Sequence, residues 1–201
     1  AAQMALFTAL PFAMTQLGLE KIHHWQVYLP STITGLIIMV PLIIVGETRN
    51  KLKQVFILGI VCIAAAQIGL LFGMHSVWLI TAYLIVYFIG FNVLEASLPS
   101  MVSKIAPSDL KGTAMGVYNT MQSVGLFVGG ATGGLLFQKY GFAGVFAFCS
   151  VLMLLWLVLA VISPAPKPVK NLSYPLNAEW QQNPDLLYQK LTEIEGVESI
   201  S

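Results

Sequence analysis

Glu95 stands inside a long apolar run, with Asn92 three residues before it and Pro99 four after. At helical spacing these residues share one face with Phe88, so a carboxyl group lies beside an amide and near a kink. Such a carboxyl can exchange a proton or meet a cation, and an ionisable side chain within a membrane is a functional candidate by default. The plainer reading is that Glu95, about 15 Å along the helix from Lys104, pairs with Arg49, Lys51 or a helix N-terminus and locks one closed state. A second polar group follows at Tyr118, Asn119 and Gln122. Its members either hydrogen-bond a ligand or bond across to a neighbouring helix at about 0.6 kcal/mol each. The interhelical bond is the expectation for each of them, and for Gln67, Thr8 and Thr15 as well. Pro11 and Thr15 mark a bend in the first helix, of the kind that lines ligand paths in membranes.

Other chemistry is poorly supported. His23 and His24 sit together near Glu20, but a metal site needs more ligands than this, so they read as solvated loop histidines. Cys62 and Cys149 fall mid-way along apolar runs and read as small packing residues. There is no nucleophile elbow, phosphate loop, HExxH or CxxC pattern, so no catalytic residues, no metal and no cofactor are expected, and the chain is not read as an enzyme. A net charge of +1 gives no footprint for nucleic acid.

The elements that position these residues are membrane helices. The chain is 57% hydrophobic and 9% charged, with a mean hydropathy of +0.78, well beyond soluble domains of this size. Apolar runs near the length of about 20 residues that crosses a bilayer occur at roughly 1–16, 27–46, 54–73, 78–103, 112–137 and 142–162. The first is read as truncated, because the sequence opens inside it, and the chain is read as a fragment. Short loops make successive spans antiparallel. Arg49, Lys51, Lys53, Lys104, Lys111, Lys167 and Lys170 then fall on one side and only Lys21 and Lys139 on the other, so the positive-inside rule makes the first side, with the C-terminal tail, cytoplasmic. Trp25, Tyr28, Trp78 and Tyr140 near span ends fit interfacial anchors.

Within 112–137, Gly125, Gly129 and Gly133 recur every four residues, as do Gly130 and Gly134. They form two adjacent stripes without side chains, and small residues that let backbones approach are what packs helices in lipid. After Ile162 the composition shifts. Residues 163–170, with Pro164, Pro166 and Pro168, read as a stiff linker. Residues 171–201 then read as a strand, a helix starting near Asn183-Pro184 and ending at Gly196, and the first part of a second strand.

The stretch from Leu94 to Phe148, with Lys111-Gly112 opening its second helix and the glycine stripe beyond, resembles helices ten to twelve of the major facilitator superfamily, drug/proton antiporter branch. The whole chain is similar to the YajR-type group, in which twelve helices precede a small cytoplasmic domain of ferredoxin-like fold; the tail LTEIEGVESIS carries that part of the resemblance. The resemblance implies a fold class: an all-α membrane protein, the six-helix C-terminal bundle of a twelve-helix fold (1–162, helices seven to twelve), followed by the start of a ferredoxin-like α+β domain. It implies that helices seven and ten line a central cavity and that eight and eleven slide against the other half. Residues 46–53 become a second-half echo of the cytoplasmic family motif, with Gly46, Glu47 in the acidic place, Arg49, and Lys51 in a basic one. Thr48 stands where the strong motif has an arginine.

On this reading the function is proton-coupled efflux of small amphipathic compounds across a bacterial inner membrane by alternating access. Asn92 and Glu95 are the cavity or gate contacts, with Tyr118, Asn119 and Gln122 secondary. The partners are membrane lipid, a small-molecule substrate, protons and an N-terminal six-helix half. Two other readings stay open: a membrane-anchored sensor or scaffold whose tail domain binds a ligand, and a nutrient uptake porter of the same fold.

Overall fold

The computed structural model describes residues 2–49, 51–73, 75–107, 110–164 and 190. They form five helices: α1 (Ala2–Gln16), α2 (Trp25–Thr48), α3 (Leu52–Phe72), α4 (Val77–Ile105) and α5 (Lys111–Ile162), with a 3-10 turn at Lys21–His23. No strand occurs among the described residues. The expected ferredoxin-like opening at 171–201 lies outside them apart from Lys190, as does most of the linker at 163–170.

Hydrocarbon offers no hydrogen bonds, so a chain this apolar must satisfy its backbone internally, and the helix does so within one segment. The hydroxyls follow the same rule by bonding back one turn. Ser31 Oγ donates to Val27 O at 2.7 Å, Thr81 Oγ1 to Val77 O at 2.8 Å and Ser150 Oγ to Phe146 O at 2.7 Å. Thr15 bonds to Pro11 O in the same way rather than across helices. α1 ends where Gly18 turns to φ 85°, with Leu19 N–H reaching Met14 O and Gly18 N–H reaching Thr15 O, the glycine-dependent helix stop.

α5 departs from the expected pattern. Its 52 residues would extend about 78 Å, more than twice the roughly 30 Å hydrocarbon core. Gly141, at φ 61° and ψ −154°, divides it into legs at 111–140 and 142–162. The chain doubles back there: Leu136 and Phe137 pack against the Val145 and Cys149 cluster, and the Phe137 and Phe142 rings lie 5.1 Å apart. The two expected spans are thus both present, but Lys139 and Tyr140 continue the first leg instead of forming a loop. One residue makes the whole turn because only glycine takes that backbone conformation without strain. The bundle therefore has six legs.

Cross-helix contacts fix their directions. Glu47 meets Ser100 and Lys104 while Gly35 meets Phe88, so α2 and α4 run parallel. Gly59 faces Gly90 and Gly69 faces Tyr83, so α3 runs against α4. Phe56 packs edge-on to Trp156 at 5.7 Å, and Lys53 Nζ donates to Val161 O and Ser163 O at the end of α5. One end of the bundle accordingly gathers Arg49, Lys51, Lys53, Lys104 and Lys111, and the opposite end holds Lys21 and Lys139. Trp25, Trp78 and Tyr140, all strongly exposed, ring that second end at the level where aromatic anchors sit. Tyr28 does not join them: its ring lies 5.8 Å from Phe7 and its hydroxyl is buried without a hydrogen-bond partner among the described residues.

The closest helix crossings are made by glycines outside the expected stripe. A Cβ on Gly90 would come within 2.5 Å of Gly59 O, and one on Gly35 within 2.9 Å of the Phe88 backbone. Gly46 lies under Val55, whose Cγ2 would be 2.8 Å from its Cβ, so the first residue of the loop motif is a contact between α2 and α3. In the stripe itself Gly129 and Gly133 are buried, whereas a Cβ on Gly125, Gly130 or Gly134 would meet nothing within 4 Å. Gly129 and Gly133 therefore pack within the bundle, and Gly125, Gly130 and Gly134 leave open space beside α5.

Gln67 corrects an expectation. It is fully buried on α3, yet neither of its amide atoms finds a hydrogen-bond partner among the described residues. The other buried positions on its helix, including Ile63, Ala64, Ala66 and Leu70, are apolar.

Candidate functional site

Asn92 and Glu95 sit three residues apart on α4 and are shared between two neighbours. Asn92 turns towards α2, its Nδ2 within 2.9 Å of where a Gly35 Cβ would stand and without a hydrogen-bond partner among the described residues. Glu95 turns towards the first leg of α5, where Gln122 Nε2 donates to its Oε1 at 3.0 Å. Three residues apart, the two share one side of the helix, but the roughly 60° between them separates their partners. Gln122 thereby makes the interhelical bond expected of it.

The expected pairing of Glu95 with Arg49 or Lys51 does not occur. Those cations sit beyond the end of α2, roughly two turns and more from the carboxylate along the bundle, and an amide on the adjacent leg reaches it first. The carboxylate that does take a cation is Glu47: Lys104 Nζ donates to Oε1 at 2.7 Å and Ser100 Oγ to the same oxygen at 3.2 Å. Sequence reasoning missed Ser100 and Lys104 as partners of the loop motif, although the shared side of Glu47 and Lys104 was a usable signal. In this arrangement Glu47 ties the end of α2 to α4, while Arg49 caps α2 through its own N–H to Val45 O and Glu47 O.

This tie makes a testable claim. Both partners are about half exposed, so the pair is worth about 0.2–1 kcal/mol. Glu47→Lys and Lys104→Glu are each expected to lower the thermal midpoint of the detergent-solubilised protein, and the double exchange to recover most of the loss. Singles that leave the midpoint unchanged would remove the pair from the structure's stabilising contacts.

Around the Glu95 and Gln122 bond the surface is polar and open. Glu95, Asn119, Thr120 and Ser123 are exposed, and Tyr118 and Gln122 are half-exposed. Asn119 does not cross to another helix; its carbonyl accepts from Ser123 Oγ at 2.9 Å within its own leg. An acidic side chain in the middle of a span costs about 2.5–3.5 kcal/mol against lipid. Lipid thus penalises Glu95 on the face formed by α4 and the first leg of α5, although that leg also exposes Val117, Met121 and Val124; the backs of α2 and the second leg of α5, with Ile37, Ile44, Leu155 and Ile162 exposed, carry no such cost. Chemically the face offers a carboxylate, two amides and a phenol, a set able to hold a proton and hydrogen-bond a polar ligand. Among the described residues no group of His, Cys, Asp and Glu is arranged to hold a metal ion.

Comparison with known proteins agrees in direction. Residues 1–191 match the family model described as Major Facilitator Superfamily. The chain is 35% identical over 197 residues to the inner membrane transport protein YajR of Escherichia coli, covering 98% of this chain and 43% of that protein. It is 29% identical over 164 residues to an uncharacterized transporter of Buchnera aphidicola, covering 78% of this chain and 41% of the relative. An uncharacterized transporter of Methanocaldococcus jannaschii is 26% identical over 106 residues, covering 53% of this chain and 28% of the relative. The chain thus spans less than half the length of these relatives.

Proposed function

Because the chain belongs to the major facilitator superfamily, we propose that it forms the second six-helix half of a secondary active transporter, one that expels small amphipathic compounds in exchange for protons. The observation that carries this reading is the exposed carboxylate of Glu95, bonded to Gln122 on a face that lipid would penalise. Opposite a second bundle, that face becomes one wall of a water-filled path near the membrane midplane, where secondary transporters hold their substrates. Glu95 is the proton-carrying group of this wall. Tyr118 and Asn119 supply hydrogen bonds to the polar part of a substrate, whereas Asn92, turned towards α2, and Phe88, buried in the core, lie behind this wall. Rocking of the two halves exposes the wall to either side in turn, and the outward-facing glycines Gly125, Gly130 and Gly134 give the moving contact a smooth surface. The basic end lies in the cytoplasm of a bacterial cell.

The test is loading of cells lacking their major efflux pumps with a fluorescent amphipathic dye. Cells expressing the full-length protein are expected to lower steady-state dye several-fold more than cells carrying empty vector, and a protonophore to abolish the difference. Equal dye with and without the protein, across cationic, neutral and anionic dyes, would overturn efflux. Export that persists after collapse of the proton gradient would overturn proton coupling.

A further inference from the structure

At the basic end, the start of α3, the end of α4 and the end of α5 enclose a half-open cavity of about 300 Å³ that the transport wall does not use. Lys53, Phe56, Met101, Trp156, Leu159 and Ser163 line it. Its polarity is graded along the bundle. Lys53 and Ser163 form the lip, at the level of Lys51 and Lys104, and Phe56 and Trp156 form the floor, about 10 Å deeper measured along α5. Leu159 is 63% exposed and Leu155 58% exposed, so the mouth opens onto the apolar outer surface of the second leg, away from Glu95.

Lys53 is held in place without being neutralised. Two of its three donors go to Val161 O and Ser163 O, carbonyls left over at the helix end. Among the described residues it has no carboxylate partner. The same end carries Arg49, Lys51, Lys104 and Lys111, and its one described carboxylate, Glu47, is taken by Lys104. A fixed positive charge, an indole at the interface and an apolar wall that runs into the hydrocarbon match an anion attached to an acyl chain.

We propose that this cavity binds one anionic phospholipid from the leaflet at the basic end, with its phosphate on Lys53 and its first acyl methylenes on Trp156 and Leu159. A basic pocket between helices at this depth is the general form of a headgroup site. The lipid bridges α3, α4 and the second leg of α5, and so fastens the end at which the expected linker leaves the bundle.

Native mass spectrometry of the detergent-purified full-length protein, titrated with dioleoyl-phosphatidylglycerol or dioleoyl-phosphatidylcholine, tests this. One phosphatidylglycerol is expected to stay bound in preference to phosphatidylcholine. Lys53→Gln should reduce that preference about fivefold, the effect of one interfacial lysine, whereas Lys51→Gln, with the same change in net charge, should leave it unchanged. Equal losses in the two variants would overturn the site in favour of diffuse surface charge, as would equal retention of the two lipids by the unmodified protein. Displacement of the lipid by millimolar inorganic phosphate would overturn the lipid as occupant. If Lys53→Gln does not assemble, a photoreactive phosphatidylglycerol on the unmodified protein decides the matter. Crosslinks to 156–164 support the proposal, and crosslinks spread over all helices overturn it.

Discussion

Glu95→Gln in the full-length protein is expected to lower transport driven by a pH gradient by about tenfold or more, a loss of at least ~1.4 kcal/mol in the driven step, while leaving the fold intact. The reasoning starts from geometry. Glu95 Oε1 accepts from Gln122 Nε2 at 3.0 Å, and an amide introduced at position 95 has the same shape and still presents an oxygen to that donor. Stability should therefore change by no more than about 0.5 kcal/mol, as for other exposed substitutions. What the amide lacks is a proton to carry. Substrate exchange without a gradient, measured as counterflow in proteoliposomes, should survive, because rocking and hydrogen bonding to the substrate need no ionisation at that position. Gln122→Leu provides the opposite control. It removes the donor and keeps the carboxylate, so gradient-driven transport should persist with an altered pH dependence. If Glu95→Gln transports at the unmodified rate with an unmodified pH profile, Glu95 is not the coupling group and the polar wall needs another explanation.

Much of this wall was legible in the sequence because its signals are local. A carboxylate in an apolar run and polar residues at helical spacing are visible without knowing any neighbour, and the lysine asymmetry sorts the ends in the same way. What stayed hidden depends on which helix faces which. Glu47 and Lys104 are 57 residues apart in sequence, and the parallel course of α2 and α4 that unites them is a property of the bundle. Nothing in QKYGFAG sets Gly141 apart in the sequence, and its φ of 61° is what allows two spans to join through one residue. Gln67 was expected to bond across helices; that neither of its amide atoms finds a partner among the described residues depends on what covers it, which is not readable from α3 alone.

The glycines show the same division most sharply, and they yield the largest expected effect on stability. A four-residue repeat such as Gly125, Gly129 and Gly133 announces itself by spacing, whereas Gly59 and Gly90 have no repeat and matter only because they face each other across α3 and α4. A Cβ at Gly90 would also lie 2.9 Å from Cys62 Cβ and 3.0 Å from Ile63 Cγ1, and the oxygen it meets on Gly59 is backbone, so no side-chain rotation relieves the clash. The helices must separate, and close approach is the main source of helix packing in lipid. Gly90→Val is expected to cost about 3 kcal/mol or more, at the upper end of overpacking effects, with loss of the monodisperse peak in fluorescence-detected size exclusion. Gly130→Val introduces the same side chain where nothing lies within 4 Å, so the purified protein should keep its thermal midpoint. Transport should nevertheless fall, because the added methyls project from the face on which the two halves slide. A Gly130→Val protein that transports normally would place that glycine against lipid, and a Gly90→Val protein that stays monodisperse and stable would mean that the α3 and α4 crossing is looser than the 2.5 Å approach requires.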